Sequence, residues 1–382
     1  MKRLTILGST GSIGRNALRV IDAKPERFEV CYLTAGKNWQ LLAEQVKKYN
    51  PKSVAIADSS QYSFVKDELQ SLDIEILSGR ESIIHISKKP DVDLVLNAIV
   101  GAPGLEPTYR CIEAGIDVAL SNKESLVMAG ELIMNLLEEH NVNLYPIDSE
   151  HSAIWQCLVG EKPESIKRII LTGSGGPFRT KPVEEFQYIK PEDALKHPTW
   201  NMGKKITVDS ATMMNKGLEI IEARWLFNLP PEKIDVIIHP QSIIHSMVEL
   251  IDGSVKAQLG LPDMKLPIQY ALNYPERINV AWENIDFSKI GELNFEVPNF
   301  QKFPSIKLAY EALKRGGTAP AILNVVNESA VYAFLDNKIK FTDISTFVEK
   351  ALSEIQIVDN PLLSDILELE KTGHEFVQSQ IN

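Results

Sequence analysis

The first 148 residues alternate short apolar runs with longer stretches in which apolar residues recur every three or four positions. A short apolar run followed by a helical repeat is typical of βαβ units, and such units build a parallel sheet. The predicted strands cover residues 4–7, 29–33, 54–57, 74–77, 94–99, 118–120 and 144–147. We therefore predict an α/β protein whose first domain, residues 1–148, is a parallel sheet with helices between its strands.

The pattern changes after residue 148. Apolar runs at 169–172, 234–238, 243–250 and 254–259 predict strands, and Asp252-Gly253 between the last two predicts a tight hairpin. We therefore expect a central α+β domain over residues 149–275 with an antiparallel sheet. Its segment 173–208, rich in Gly, Pro and Lys, predicts a mobile loop. Residues 276–299 are predicted to form a linker, and helical periodicity predicts a C-terminal helical domain over 300–382.

The chain of 382 residues carries 40 basic and 51 acidic side chains, a formal net charge of −11. An acidic chain has no general field that attracts nucleic acid or an anionic membrane, so a phosphorylated ligand must bind at a local site. Cys31, Cys111 and Cys157 lie far apart without a CxxC pair, which predicts neither a disulfide nor a zinc site. The N-terminus lacks a signal-peptide pattern and no apolar run is long enough to span a membrane, so we expect a cytoplasmic protein.

A glycine-rich turn, ILGSTGSIG, lies between the first predicted strand and the first predicted helix. Gly8, Gly11 and Gly14 let the backbone turn sharply and approach a pyrophosphate, which the free N–H groups of a helix N-terminus stabilise. The spacing is GxxGxxG rather than the usual GxGxxG. The context favours a dinucleotide site of the Rossmann type, and the alternative is a tight turn without a ligand.

The turn after the second predicted strand reads Ala35-Gly36-Lys37-Asn38. Folds that bind NAD generally place a carboxylate in this turn, where it binds the ribose 2′-hydroxyl. Here the turn has no acid and offers a cation, which favours a 2′-phosphate and therefore NADPH over NADH. The alternative is that Lys37 is an ordinary surface lysine.

The segment YPIDSEHSAIWQ carries two acids at the end of the last predicted strand of the first domain. Residues two apart on a strand face the same side, so Asp148 and Glu150 would point together and repel unless a cation or a proton intervenes. The alternative is a helix that begins at His151, with Asp148 or Ser149 as its N-cap and Glu150 in its first turn.

The segment VDSATMMNKGLEIIEARWLF predicts one helix with Ser210 near its start. Asn215, Lys216 and Glu219 lie on one face of that helix. Apolar residues surround them and predict burial, where ions need partners or a ligand. A solvent-facing Lys-Glu pair would show the same spacing.

Asp148, Glu150 and Glu219 together form an oxygen-only set of candidate metal ligands. Such donors suit Mg²⁺ or Mn²⁺ and disfavour zinc. Spacing by itself leaves open whether Glu219 reaches the other two carboxylates.

A second glycine-rich segment, LTGSGGPFR, places Ser174 in a backbone that can form an anion-binding nest. Together with Ser210, Asn215 and Lys216, this nest could hold a phosphate group. The alternative is a plain flexible loop.

Four further side chains are aromatic or imidazole groups in or near the central domain. His197 and Trp200 lie in segment 173–208, where they would suit a lid with an aromatic cover, although a single loop histidine is usually only solvated. His239 and His245 are predicted on strands, on one shared face, with structural roles first.

The segments GSTGSIG, SNKESLVMAG, DSEHSAIWQ, LTGSGGPFR, HPTWNMGKKITVDSATMMNKGLE, HPQSIIHSMVE and GGTAPAILNVVNESAV occur together in this order. In this respect the chain closely resembles the 1-deoxy-D-xylulose 5-phosphate reductoisomerase family, from residue 8 to about residue 335. The resemblance implies a homodimer with an N-terminal Rossmann-like NADPH domain, a central α+β catalytic domain and a C-terminal helical bundle. It also implies rearrangement and NADPH-dependent reduction of 1-deoxy-D-xylulose 5-phosphate to 2-C-methyl-D-erythritol 4-phosphate, a step of non-mevalonate isoprenoid biosynthesis.

The resemblance further implies roles for individual residues. The implied metal ligands are Asp148, Glu150 and Glu219, with Mg²⁺ or Mn²⁺ as the ion. The implied catalytic residues are these three and Lys123. The implied substrate-binding residues are Ser149, Glu150, Ser174, His197, Trp200, Ser210, Asn215, Lys216 and Glu219. The implied cofactor-binding residues are Thr10, Gly11, Ser12, Ile13, Gly36, Lys37, Asn38, Asn122, Lys123, Glu124 and Gly203.

Two other functions remain alternatives at this point. One is a metal-independent NADP dehydrogenase, whose activity would survive complete chelation of metal. The other is a nucleotide-sensing regulator, which would bind NADPH without consuming it. The three carboxylates argue against both.

Overall fold

The structure is a computed structural model that describes residues 1–200 and 202–381. The chain divides into two compact units. The first unit contains Met1–Ser125, Ile133–Asp148 and Met264–Ala281. The second contains Leu126–Leu132, Ser149–Asp263 and the described part of Trp282–Asn382. Each unit is therefore assembled from separate stretches of the chain.

Strands and helices alternate through the first part of the chain, and helices dominate its end. The strands are β1 Lys2–Leu7, β2 Phe28–Ala35, β3 Ser53–Ile56, β4 Glu75–Ser78, β5 Leu94–Asn97, β6 Asp117–Leu120, β7 Leu144–Pro146, β8 Ile166–Gly173, β9 Ile234–Ile238, β10 Ile244–Leu250 and β11 Val255–Leu259. The α-helices are α1 Ser12–Ala23, α2 Trp39–Tyr49, α3 Tyr62–Glu68, α4 Arg80–Ser87, α5 Leu105–Glu113, α6 Lys123–His140, α7 Ser149–Leu158, α8 Pro191–Ala194, α9 Lys204–Ala211, α10 Met214–Leu226, α11 Lys265–Asn273, α12 Ser305–Arg315, α13 Ala319–Leu335, α14 Phe341–Glu354 and α15 Leu363–Ile381.

In the first unit, seven described strands form one parallel sheet in the order β4-β3-β2-β1-β5-β6-β7. Strands covered on both faces are rich in apolar residues, and Leu4, Ile6 and Leu7 of β1 are completely buried. The predicted parallel sheet is confirmed. Its strand order reverses between β1 and β5, and α/β folds bind ligands at the carboxyl end of the sheet beside such a reversal.

The predicted cofactor segments follow strands of this sheet. Gly8 comes after β1, Gly36 after β2, and Asn122 lies between β6 and α6. Because parallel strands end at one edge of a sheet, these three turns lie on the same side of the first unit. The fold therefore places them where a dinucleotide binds in sheets of this kind.

In the second unit, the described strands form a sheet in the order β11-β10-β8-β9. β10 pairs antiparallel with both β8 and β11, and the chain turns between β10 and β11 through Asp252-Gly253. The predicted hairpin is confirmed. The prediction of a purely antiparallel sheet is wrong, because β9 pairs parallel with β8. A long connection that contains helices separates β8 from β9 and returns the chain to the same end of the sheet, which gives a parallel pair.

The predicted single helix around Ser210 is wrong. The chain forms two helices, α9 and α10, which are separated by Thr212 and Met213. Met213 adopts a left-handed conformation with φ of 61°, which no helix accommodates. Ser210 consequently lies in the last turn of α9 rather than near the start of the helix that carries Glu219.

Segment 173–208, predicted as a loop, contains regular structure. It includes a 3₁₀ stretch at Val183–Tyr188, helix α8 and the first half of α9. The loop assignment is therefore wrong for these stretches, because Phe186 and Ala194 are buried and give the segment a packed face. Whether the rest of the segment moves stays a prediction.

Helices α12 to α15 confirm the predicted helical character of the C-terminal region. Two of them also pack beside the central segment, with α12 on α10 and α13 on α9. Among the described residues, no helix combines the length and the apolar character that crossing a membrane requires.

The division into domains at residues 148, 275 and 299 stays a prediction. The two compact units have other boundaries than these domains. Residues Met264–Ala281 belong to the first unit, where α11 packs against α1, and the C-terminal helices share a unit with the central sheet. Sequence periodicity carries no information about such long-range packing, because it reports only the local face that a helix buries.

A glycine in α6 allows close packing in the second unit. The helix is kinked at Ala129 (φ −133°, ψ 31°), and a Cβ at Gly130 would overlap the indole of Trp225. We expect Gly130→Ala to lower the free energy of unfolding by about 1–3 kcal/mol, as overpacked cores do, although alanine favours helices by about 1 kcal/mol. Denaturant unfolding measures this change. Gly291→Ala is the matched control, since a Cβ there meets nothing within 4 Å. Equal stability of Gly130→Ala and the parent protein would contradict the packing argument.

Candidate functional site

The turn after β1 is a glycine cradle at the start of α1. Gly8 has φ of 79°, and a Cβ at this position would lie 2.8 Å from the carbonyl oxygen of Ala98. Gly11 is the N-cap of α1, and no side chain caps the helix. The first N–H groups of α1, which include those of Ser12 and Ile13, therefore keep their capacity to bind an anion. This is the arrangement that a pyrophosphate needs.

The turn after β2 is exposed at Gly36, Lys37 and Asn38. Asn38 has a local role, because its side-chain oxygen accepts the Leu41 N–H (3.2 Å) and caps α2. Asp58, which the sequence did not single out, donates its N–H to the Gly36 carbonyl (2.9 Å). Hydrogen bonds from the Ser60 hydroxyl and N–H hold the pKa of the Asp58 carboxyl below its usual range. Lys37 is exposed in this turn, and its charge also contributes to the lowered pKa of Asp58.

Asn122 organises the start of α6. Its amide group donates to the carbonyl oxygens of Ile99 and Gly101 (both 2.8 Å), and its oxygen accepts the Ser125 N–H (3.1 Å). The residue is almost completely buried. It therefore joins the loop after β5 to the N-terminus of α6 and sets the position of the next residue, Lys123.

Lys123 binds Asp148 within the first unit. Its Nζ lies 2.6 Å from Asp148 Oδ2, with side-chain exposures of 6% and 12%. Burial strengthens the Coulomb attraction between the two groups, and their hydrogen bond fixes the geometry of the pair. The pair therefore holds the Asp148 carboxylate in a defined orientation at the carboxyl end of β7.

Ser149 and Glu150 form the first turn of α7, so the prediction of two acids on one strand is wrong. The strand ends at Pro146, and the helix begins two residues before the predicted start at His151. The alternative of a helix start is therefore the correct one. The Ser149 hydroxyl donates to Glu150 Oε2 (2.5 Å). Both residues lie at the N-terminus of α7.

Glu150 and Glu219 come together in the second unit. Their carboxylate oxygens lie within 4.8 Å of each other. Lys216 Nζ donates to Glu150 Oε1 (2.8 Å) and to Glu219 Oε2, and Asn215 donates to Glu219 Oε1 (2.5 Å). Glu219 is fully buried and Lys216 nearly so. The two glutamates therefore meet around a cation, which here is the lysine ammonium.

The pKa of Lys216 reflects the balance of charges in this cluster. Burial acts to lower the pKa of Lys216, but the adjacent Glu150 and Glu219 outweigh burial and raise it. The ammonium consequently stays charged between the two carboxylates. Carboxylates so close together require a cation or a proton between them.

His151 and Glu222 lie behind this cluster and were missed from the sequence. His151 Nε2 lies 3.0 Å from the backbone carbonyl of Glu219, and its Nδ1 lies 3.3 Å from Glu222 Oε2. Both side chains are essentially inaccessible to solvent. The available signal was the position of both residues among apolar neighbours on predicted helices.

A second cluster joins three predicted substrate residues. His197 Nε2 lies 3.2 Å from Ser174 Oγ and 3.1 Å from Ser210 Oγ. His197 Nδ1 accepts the N–H groups of Thr199 (3.2 Å) and Trp200 (2.9 Å). Nδ1 is therefore the acceptor, and the proton of the neutral ring lies on Nε2. Burial lowers the pKa of His197, which favours this neutral form.

Glycines bring the loop after β8 close to α9. Gly175 and Gly176 have φ of 82° and 68°, and a Cβ at Gly176 would lie 2.5 Å from the Ser210 carbonyl oxygen. The backbone can therefore approach α9 this closely only because Gly176 has no side chain. Ser174 and Ser210 meet as a result.

The remaining predicted residues lie outside the cluster of Ser174, His197 and Ser210. Asn215 and Lys216 contact the glutamate cluster, and their part in phosphate binding stays a prediction. Trp200 places its ring 6.3 Å from that of His245, and Gly203 is the exposed N-cap of α9. His239 lies just after β9, and its Nδ1 lies 2.9 Å from the carbonyl oxygen of Asn294, so the prediction of two strand histidines on one face is wrong for it.

Known proteins match the chain over its whole length. Models of 1-deoxy-D-xylulose 5-phosphate reductoisomerase and its C-terminal domains match residues 4–130, 144–227 and 259–376. The reductoisomerase of Chloroherpeton thalassium is 53% identical, over 99% of this chain and 97% of its own length. That of Chlorobaculum tepidum is 51% identical, with all of both chains covered.

Solved structures agree. The reductoisomerase from Zymomonas mobilis in complex with NADPH has a TM-score of 0.93 at 42% identity, covering 100% of this chain and 99% of its own. A DOX-P reductoisomerase in complex with NADPH, fosmidomycin and magnesium has a TM-score of 0.95 at 40% identity, covering 100% and 98%. Since sequence, fold and site geometry agree, this chain belongs to the 1-deoxy-D-xylulose 5-phosphate reductoisomerase family.

Proposed function

We propose that Asp148, Glu150 and Glu219 hold the divalent cation with which this protein converts 1-deoxy-D-xylulose 5-phosphate to 2-C-methyl-D-erythritol 4-phosphate at the expense of NADPH. The reaction is that of the family, a step of isoprenoid biosynthesis. The observation that carries the assignment of the site is the meeting of Glu150 and Glu219 around one cation.

The chemistry of the donors suits Mg²⁺ or Mn²⁺. The two glutamates supply only carboxylate oxygens, and hard divalent ions prefer such ligands. The single Lys216 ammonium balances only one of their two negative charges, so the pair still attracts a cation. Solved relatives in complex with magnesium support this choice.

Covalent geometry supports Asp148 as the third ligand. Consecutive Cα atoms are about 3.8 Å apart, so those of residues 148 and 150 cannot be separated by more than about 7.6 Å. Lys123 additionally restrains the Asp148 carboxylate at 2.6 Å. The third carboxylate is thus tethered close to Glu150.

Ser174, Ser210 and His197 form the proposed phosphate pocket. Two hydroxyl groups and the Nε2–H converge within 3.2 Å, and all three can donate to an anion. Lys216 would supply positive charge at the border between this pocket and the glutamates. Binding of the remote phosphate then fixes the reacting carbon atoms.

On the cofactor side, we propose that the N-terminus of α1 binds the pyrophosphate of NADPH, through Thr10, Gly11, Ser12 and Ile13. Gly36, Lys37 and Asn38 would bind the ribose 2′-phosphate. The exposed Lys37 and the uncapped helix support these roles. Asn122, Lys123, Glu124 and Gly203 complete the proposed set.

In the reaction, a bound divalent cation would polarise the substrate carbonyl and stabilise oxyanion charge during the carbon rearrangement. Lys123 would add positive charge beside Asp148, and Ser149 would bind substrate from the first turn of α7. Trp200 would cover the substrate and exclude water before hydride transfer to the aldehyde. Its N–H bond to His197 supports this coupling of cover and phosphate pocket.

The decisive experiment follows NADPH absorbance with 1-deoxy-D-xylulose 5-phosphate. We expect consumption that stops with EDTA and returns with Mg²⁺ or Mn²⁺. Consumption that survives full chelation would favour a metal-independent dehydrogenase instead. NADPH binding without consumption would favour a nucleotide sensor.

Lys37 is expected to select the cofactor. Lys37→Ala should raise the Kd for NADPH about tenfold, since it removes a cation from the 2′-phosphate, and should leave the Kd for NADH unchanged. Fluorescence titration with both nucleotides measures this. Lys24→Ala, on the loop after α1, is the control for a loss of general surface charge. Equal changes for NADPH and NADH would show that Lys37 does not contact the 2′-phosphate.

We also propose a cytoplasmic homodimer. Cys31, Cys111 and Cys157 are buried and not bonded to one another, which suits a reducing compartment. Light scattering of the purified protein would test the dimer, and a mass of one chain would contradict it.

A further inference from the structure

Helix α9 carries a buried charge pair that the reaction does not use. Lys205 Nζ lies 2.8 Å from Asp209 Oδ2, one turn along the helix, with side-chain exposures of 4% and 1%. Removing both charges from water is costly, and apolar side chains of similar size would often be equally stable. The neighbouring Lys204, by contrast, is exposed to solvent. It provides a comparison for the buried Lys205 on the same helix.

The second oxygen of Asp209 binds a different helix. The amide of Asn327 on α13 donates to Asp209 Oδ1 (2.8 Å), and Asn327 is fully buried. The Asp209 carboxylate therefore joins three points, which are the first turn of α9, the last turn of α9 and α13. All of them belong to the second unit.

The residue after Asp209 is Ser210, whose hydroxyl lies in the proposed phosphate pocket. A helix of eight residues is too short to be stable alone, so its position depends on its contacts. Ser210 has little tolerance for movement, because its Oγ lies 3.1 Å from His197 Nε2 and its carbonyl lies against Gly176.

We infer that Lys205, Asp209 and Asn327 form a positioning network that places the Ser210 hydroxyl for binding of the substrate phosphate. This inference rests on the proposed function of the Ser174, His197 and Ser210 pocket. A displacement of about 1 Å at a substrate-positioning group costs up to a hundredfold in rate. The network thus acts on the reaction through Ser210 and touches no substrate itself.

The first test compares Lys205→Met with Lys204→Met. Lys205→Met should raise KM for 1-deoxy-D-xylulose 5-phosphate about tenfold, a loss of one anchoring interaction, while the Kd for NADPH stays within about twofold. Lys204→Met should change neither. Equal KM values for the two variants would overturn the inference.

The second test is a double-mutant cycle with Ser210→Ala. If the network acts through Ser210, Lys205→Met should raise KM by less than about twofold in the Ser210→Ala background, since coupled residues are not additive. The full tenfold rise in both backgrounds would identify a general structural role and overturn the inference. An unchanged KM in Ser210→Ala alone would instead contradict the phosphate pocket, and the inference with it.

Asp209→Asn guards against a variant that fails to fold. It keeps an oxygen for the Asn327 amide and removes the charge pair with Lys205. Thermal unfolding and NADPH titration confirm the folded state of each variant. In this variant too, a rise in KM that disappears in the Ser210→Ala background supports the network, and a rise that persists there contradicts it.

Discussion

Replacing Glu219 with glutamine is expected to lower kcat about a thousandfold, because a Lewis acid contributes several kcal/mol to the transition state. The substitution keeps the size of the side chain and removes the charge that a divalent ion needs. Glu219 is fully buried and shares Lys216 with Glu150, so no solvent-exposed group can take over its role. Steady-state turnover at saturating substrate and Mg²⁺ measures the effect.

The same variant should bind NADPH as the parent protein does. Glu219 belongs to the second unit, whereas the glycine cradle and the Lys37 turn belong to the first. Fluorescence titration with NADPH is therefore the internal control. Turnover equal to that of the parent would remove Glu219 from the metal site.

Glu222→Gln distinguishes the roles of Glu219 and Glu222, the two buried carboxylates of α10. Glu222 lies one turn further along the helix and is paired with His151, 3.3 Å away. We expect this variant to need the same Mg²⁺ concentration for half-maximal activity as the parent. A large increase for Glu222→Gln, with none for Glu219→Gln, would place the ion beside His151 instead.

Removing the ammonium of Lys216 is expected to raise KM for the sugar phosphate about a hundredfold, since charge-assisted bonds to phosphate are strong. Lys216→Ala also leaves Glu150 and Glu219 facing each other without their cation. Losing one partner of a buried ion pair costs about 3–5 kcal/mol, so the metal-free variant should unfold at a lower temperature.

Addition of Mg²⁺ distinguishes the two roles of this lysine. A divalent ion should restore most of the lost thermal stability, because it replaces the missing charge, but it should not restore KM. Lys216→Met, which keeps most of the side-chain volume, controls for the cavity that alanine leaves. An effect confined to NADPH affinity would show that Lys216 does not bind the substrate.

Much of the first unit follows from local sequence. Apolar runs such as 94–99 predicted strands that are buried on both faces, and the glycines at 8, 11 and 14 predicted the turn into α1. These features are readable because hydrophobic periodicity and glycine conformations are properties of a few consecutive residues. The acids and the hydroxyl residues of the proposed site were predicted from their types and motifs.

The wrong predictions concern the ends and directions of elements rather than their existence. The break at Met213, the first turn of α7 at Ser149 and the parallel pairing of β9 depend on where the chain must go next. The first helix stops after Ala211, where the Thr212 hydroxyl accepts the Met214 N–H (3.3 Å), and α9 and α10 then pack on α13 and α12 respectively. Local patterns therefore identify elements more reliably than their ends or directions.

The amino-acid sequence alone determined the parallel sheet, the glycine cradle, the cation in the Lys37 turn and the oxygen-only character of the proposed metal ligands. Each depends on the chemistry of neighbouring residues. Only the tertiary structure decided that Glu150 and Glu219 meet around Lys216, that Ser174 and Ser210 share His197, and that Asp209 binds Asn327. Such meetings join residues up to 118 positions apart, and distances of that kind are set by the packing of whole elements.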